Sequence, residues 1–138
     1  VQTIDRPRLV GALARGAREG HRPVDCLVQI DLEDLDARCP SASARGGITP
    51  DQALTLSDLV AASDLLRLRG VMAVAPLGID PAPAFRVLQG IARRIRADHP
   101  EAQWISAGMS GDLEAAIAHG ATHVRVGTAI LGSRPPVR

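Results

Sequence analysis

At 138 residues and 46% apolar content, the chain has the length of one ordinary domain and enough apolar side chain to build a core. Its net charge of +1 shows no acidic or basic excess of the kind that marks a nucleic-acid binder or a partner of anionic membranes. All sixteen basic residues are arginine, so no side-chain amine is available to form a Schiff base, and Phe85 and Trp104 are the whole aromatic complement.

The core must therefore be assembled from Ala, Val, Leu and Ile, which suit strand–helix layers. No apolar run approaches the ~20 residues of a membrane span and no signal peptide is visible, so a cytoplasmic protein is expected. The chain opens with Val1 rather than Met, inside what reads as a strand, and residues upstream of it are expected. Cys26 lies in an apolar run and reads as a small core residue. Cys39 lies in a polar loop, and the twelve residues between the two match no metal spacing. The cytosolic setting argues against a disulfide.

In chain order, "VQTID" reads as a short strand. "RPRLVGALARGAREG" follows, with Leu9, Val10, Leu13 and Ala14 at helical spacing and Gly20 as the C-terminal stop. "CLVQIDL" is an apolar run rich in β-branched residues. A polar loop, "EDLDARCPSASARGG", leads into the helix "TPDQALTLSDLVAASDLL". There Thr49 stands as N-cap, Pro50 in the first helical position and Asp51 in the first turn. "GVMAVAP" predicts a strand, and "PAPAFRVLQGIARRIRADH" a helix with Phe85, Leu88, Ile91 and Ile95 on one face. "WISAG" is a strand, "GDLEAAIAHG" a short helix ending at Gly120, and "HVRVGTA" the last strand.

Five strands alternating with helices, each strand apolar at nearly every position, specify an α/β fold with a parallel sheet covered by helices. The order fits either an open doubly wound sheet or part of a (βα)8 barrel. A closed barrel needs ~250 residues.

In such folds the site lies at the C-terminal ends of the strands. "AGMSGD" follows one strand and "GTAILG" the next. Both put Gly and a hydroxyl residue where a strand turns into a helix, and Ser110 and Thr128 are either ordinary N-caps or the donors of a phosphate cup. Arg125 alternates with Val124 and Val126, which places the valines under the helices and the guanidinium, with His123 and Gly127, on the opposite face. A buried guanidinium needs a partner. The candidates are Asp31, Asp112 or a ligand acceptor beside the cup. His21, His99, His119 and His123 show no metal spacing, and His99 and His119 sit near helix C-termini, where the dipole favours imidazolium. Asp31 ends its strand on the site side and either contacts a ligand or caps the following loop. "ARRIRADH" reads as a solvated helix face and "GGITPDQ" as a helix-start loop.

The stretch "ISAGMSGDLEAAIAHGATHVRVGTAILGSR" closely resembles the C-terminal signature of the YggS/PROSC family of pyridoxal phosphate homeostasis proteins, which share the alanine racemase N-terminal barrel fold. "CLVQID", "ARGGITP", "LRGVMAVAP" and "DPAPAFRVL" follow in the family's order. The resemblance implies one partial barrel domain over residues 1–138, corresponding to about strands four to eight of a TIM-type (βα)8 barrel. It implies that Ser110, Gly127 and Thr128 hold the phosphate of pyridoxal 5'-phosphate, that Met109 lies beside it and that Arg125 faces the pyridine nitrogen. An arginine does not give up its proton, so the nitrogen it faces stays unprotonated and the ring a poor electron sink. The family is correspondingly a binder and buffer of the cofactor rather than a catalyst.

Three departures stand out. The family's Schiff-base lysine lies on its first barrel strand and has no counterpart here. Asp31 occupies the place where the family usually has Asn. The loop from Asp31 to Arg45 is longer than usual. A racemase is excluded on residues alone, because its opposed bases are a lysine and a tyrosine and the chain contains neither. The expected protein is a non-catalytic pyridoxal phosphate binder without metal, nucleic-acid or membrane partners, monomeric at full length. The alternatives are an enzyme that binds another phosphorylated metabolite on the same barrel, with Asp31 as acid or base, or a truncated fragment without a stable site.

Overall fold

The structure, a computed structural model, describes residues 1–33 and 46–132, with the side chain of Thr128 excepted. Cys39, Arg45 and the length of the loop before Gly46 lie outside the described residues.

Among the described residues four strands and five helices alternate: α1 Pro7–Glu19, β1 Val24–Ile30, α2 Ala53–Ala61, β2 Leu66–Ala73, α3 Ala82–Asp98, β3 Trp104–Met109, α4 Leu113–Ala118, β4 His123–Arg125 and α5 Thr128–Leu131. The strands lie side by side in chain order, every neighbouring pair parallel. This order decides between the two architectures open from the sequence. A doubly wound sheet reverses direction at a switch point, whereas here each connection advances one strand the same way, as in a barrel.

A single apolar core confirms that the helices share one face. Val10, Ala14 and Ala17 of α1, Leu56 and Val60 of α2, Phe85, Leu88, Ile91 and Ile95 of α3 and Ala116 of α4 pack on Cys26, Val28, Ile30, Val71, Ile105 and Ala107 of the sheet. The α3 stripe is the one that the sequence periodicity predicts, and the arginines Arg93 and Arg94 on its other side are exposed. Cys26 is fully buried, as expected, and burial pushes its thiol pKa up, which leaves it an inert core residue.

Several boundaries differ from the sequence reading. "VQTID" is not a full strand. Ile4 forms one parallel bridge to Val28, its N–H bonding the Leu27 carbonyl at 3.3 Å and its carbonyl accepting from Gln29 at 2.8 Å. The second helix starts at Ala53 rather than Pro50, because the Thr49 side chain turns to Gln52 (Oγ1 to Oε1, 3.3 Å) and residues 50–52 form a turn. It ends at Ala61, and β2 begins at Leu66, the last residue of the expected helix, and takes in Arg67 to Arg69 ahead of the expected strand start at Gly70. Leu65, at φ 62°, makes the break between them. The segment read as a helix-start loop also extends the sheet: Ile48 bridges Ile30, and Gly47 lies so close to Asp31 that a Cβ there would sit 2.6 Å from the Asp31 nitrogen.

Gly70 sets the register of the sheet. Between Cys26 and Leu27 the β1–β2 pairing slips by one residue, so that Leu27 faces Gly70 and Arg69 is the extra residue. At φ 144° a Cβ on Gly70 would stand 1.9 Å from the Trp104 carbonyl oxygen on β3. Gly70→Ala is therefore expected to destabilise the fold by roughly 1–3 kcal/mol or more, read as a lowered urea midpoint; an unchanged midpoint would show that the bulge accommodates a side chain.

Candidate functional site

The helix-free face of the sheet carries the polar side chains, arranged in tiers from the N-terminal to the C-terminal ends of the strands. At the lower end, Asp25 of β1 accepts from two arginines of β2 through one carboxylate oxygen, Arg67 Nε at 2.9 Å and Arg69 Nε at 2.8 Å. The Arg69 guanidinium also lies 5.6 Å from the centre of the Trp104 ring, and that ring stands 4.8 Å from His123. This cluster was not foreseen. The alternating charges of "LRLRG" are its sequence signal, but the slipped register that brings both arginines to one carboxylate is a property of the sheet.

The middle tier is built around Arg125 on β4. Its Nη1 donates to the Ser106 carbonyl at 3.0 Å and to the Ser106 hydroxyl at 2.8 Å, and its Nη2 donates to the Ala73 carbonyl at 2.9 Å. The guanidinium thus reaches across three strands. The partners considered from sequence, Asp31 and Asp112, do not pair with it. Asp31 instead accepts from the Glu33 N–H at 2.9 Å, the loop-capping role, and Asp112 accepts from the Met109 N–H at 2.6 Å. Burial pushes the Arg125 pKa below its usual value, opposed by the more distant charge of Asp112.

The valines beside Arg125 are less covered than expected: Val124 is 39% exposed and Val126 is half-buried. β4 lies at an edge of the sheet, with β3 as its one neighbouring strand. The face alternation nevertheless holds, because Arg125 points across the same surface as Ser106.

At the C-terminal ends, the two glycine–hydroxyl turns meet. The Ser110 hydroxyl accepts from the Ala129 N–H at 3.3 Å, so it caps the first turn of α5 rather than that of α4, whose N-cap is Asp112. Ser110, Met109, Gly127 and Thr128 are thereby brought to one end of β3 and β4. Gly108, at φ 91°, sets α4 against β3: a Cβ there would stand 2.7 Å from that of Ala116. Both following helices are short, six and four residues, so neither contributes a long helix dipole at this end. A cavity of about 210 Å3 lies beside Met109, lined also by Pro76, Leu77, Ile79 and Asp112. A hollow of about 300 Å3 adjoins it, sharing Pro76 and Ile79, and two larger ones lie at the start of β2 and between Pro7 and α2, away from these turns.

His119 caps α4, its Nδ1 2.8 Å from the Ala115 carbonyl. His99 caps α3 and pairs through Nε2 with Asp58 at 2.7 Å. Among the described residues no cluster of His, Cys, Asp or Glu could hold a metal ion, and no helix is long and apolar enough to cross a membrane.

A parallel sheet wound in one direction, with an arginine-centred polar face and paired glycine–hydroxyl turns above it, defines the class to which the chain belongs: it is a member of the alanine racemase N-terminal domain family, whose pattern it matches over residues 1–135. Within that class its curated relatives carry the name pyridoxal phosphate homeostasis protein. The protein of that name from Corynebacterium glutamicum is 37% identical over 98% of this chain and 61% of its own length, and that from Mycobacterium tuberculosis is 41% identical over 96% and 52%. The chain therefore spans little more than half of these relatives. Among solved structures, PipY of Synechococcus elongatus with PLP bound superposes with a TM-score of 0.80 at 26% identity, covering 95% of this chain and 59% of that one. A D-threonine aldolase from Filomicrobium marinum shares the fold alone, with a TM-score of 0.71 at 16% identity.

The lower tier gives a pH test. Its two arginines, Arg69 above all, hold the Asp25 carboxyl below its usual pKa. A carboxylate with a lowered folded pKa contributes stability that is present above its unfolded value, near ~4, and is lost as pH falls through the lowered one. The melting temperature is expected to fall in that acid window, and Asp25→Asn to flatten that part of the profile. An identical acid slope in the variant would assign it to other carboxylates.

Proposed function

We propose that this chain forms the phosphate-binding and ring-binding wall of a pyridoxal 5'-phosphate site, and that the protein holds the cofactor for homeostasis in the cytoplasm rather than catalysing a reaction on it. The single observation that carries the reading is Arg125. It is half-buried and desolvated, yet all three of its bonds go to neutral oxygens. A guanidinium in that state favours an electron-rich acceptor from outside the chain, and an aromatic nitrogen suits its remaining donors. The names of the relatives and the PLP-bound state of PipY support the same ligand.

In this reading Gly127, Ser110 and Thr128 receive the phosphate, the glycine because it allows close backbone approach and the others through hydroxyl or N–H donors. Met109, which lines the neighbouring cavity, lies beside the phosphate in this reading. Pyridoxal phosphate supplies an aldehyde and an electron-withdrawing ring when bound. Arg125 donates to the ring nitrogen and cannot pass it a proton, which keeps that ring poorly suited to carbanion chemistry. The absence of lysine from the sequence makes the binding by this chain non-covalent.

Titration with pyridoxal phosphate, followed by absorbance and thermal shift, tests the reading. Wild type is expected to bind. Arg125→Leu and Ser110→Ala are each expected to weaken binding about tenfold or more, the loss of one charge-assisted or anion-directed bond. Borohydride treatment should leave no adduct on any side chain, with the α-amine scored separately by peptide mapping. Stabilisation by a sugar phosphate and not by pyridoxal phosphate would transfer the site to another phosphorylated metabolite.

A further inference from the structure

Two polar side chains are fully buried among the described residues, Ser57 and Ser106. Ser57 is accounted for locally, since its hydroxyl donates to the Ala53 carbonyl one helical turn back at 2.8 Å. Ser106 is different. It sits within an apolar strand, and its hydroxyl donates to the Gln2 Oε1 at 2.8 Å while accepting from Arg125 Nη1 at 2.8 Å. The direction of this chain of bonds is forced. Arginine only donates, so the serine oxygen accepts from it, and the serine proton must go to a pure acceptor, which the amide oxygen of Gln2 provides.

We propose that Ser106 is a positioning residue: together with the Ala73 carbonyl it fixes the Arg125 fork through neutral acceptors, so that the guanidinium keeps its charge and its Nε–H edge for the ring nitrogen of the ligand. The inference rests on the pyridoxal phosphate reading above. Three bonds occupy Nη1 and one position of Nη2, which leaves two of the five guanidinium donors without a partner among the described residues. Neutrality of the acceptors is the second half of the argument. Elsewhere this chain pairs arginine with carboxylates, Arg6 with Asp5 and both Arg67 and Arg69 with Asp25. A carboxylate in the place of Ser106 would cancel the charge where the ligand needs it. A hydroxyl orients the guanidinium and leaves the charge uncancelled.

The test compares pyridoxal phosphate with its analogue carrying carbon in place of the ring nitrogen, by equilibrium dialysis on the intact chain, with inorganic phosphate as competitor. Wild type should prefer the parent ligand about tenfold, the worth of one charge-assisted bond. Ser106→Ala should lose that preference by weakening the parent alone, while the analogue and the phosphate competition stay within about twofold. Ser106→Thr should restore the preference. Should Ser106→Ala fail to fold, Gln2→Ala, at the exposed end of the same bonds, is expected to reduce the preference by a few-fold. A folded Ser106→Ala that keeps the wild-type preference, or loses both ligands equally, overturns the positioning role, as does an unchanged preference in Gln2→Ala. Wild type that binds both ligands equally shows that Arg125 does not serve the ring nitrogen and overturns it too. Wild type that binds neither overturns the pyridoxal phosphate reading itself, and the inference falls with it.

Discussion

Each βα connection in this chain advances by one strand in the same direction, and crossovers of this kind share one hand. That constraint places α1 to α4 on a single face of the sheet, where they bury one continuous aliphatic core around Phe85. The other face is left free of helices. With side chains alternating along each strand, every second residue of β1 to β4 must point into that face, so the chain can place polar and charged groups there without breaking its core. The tiers of Asp25, Ser106 and Arg125 follow from this division.

The polar face uses arginine in two ways. At the lower end Arg67 and Arg69 converge on Asp25, and the charges cancel locally. In the middle tier Arg125 is held by a hydroxyl and two carbonyl oxygens, and no charge is cancelled. Because the carboxylate of Asp112 acts on Arg125 only through space and the direct hydrogen bonds of Arg125 all go to neutral oxygens, the middle tier is where an external acceptor gains most. The turns that would take up a phosphate lie directly beyond it on the same strands, joined by the bond between the Ser110 hydroxyl and the Ala129 N–H.

Much of this was legible in the sequence. The α3 stripe of Phe85, Leu88, Ile91 and Ile95, the buried Cys26 and the caps at His99 and His119 all follow from periodicity and end signals. The family resemblance in "GMSGD" and "VRVGTAILG" led to the fold that the comparisons support. The element boundaries were less legible. Helical spacing in "TPDQALTLSDLVAASDLL" runs on past Ala61, and only Leu65 in a left-handed conformation and the pull of the sheet on Leu66 to Arg69 end the helix there. Ser106 was passed over because one serine in an apolar strand has no local signature. Its partners are Gln2 and Arg125, 104 and 19 residues away.

The sequence by itself determined the class of fold, the side of β4 on which Arg125 lies and the lack of any side-chain amine in these 138 residues. These depend on periodicity and residue identity, which are local. The tertiary structure decided that the sheet winds in one direction, that the partners of Arg125 are Ser106 and Ala73 rather than Asp31 or Asp112, and that Ser110 caps the neighbouring turn instead of its own. Those outcomes depend on strand order and register, including the one-residue slip at Gly70, and both are fixed only when distant segments pack together.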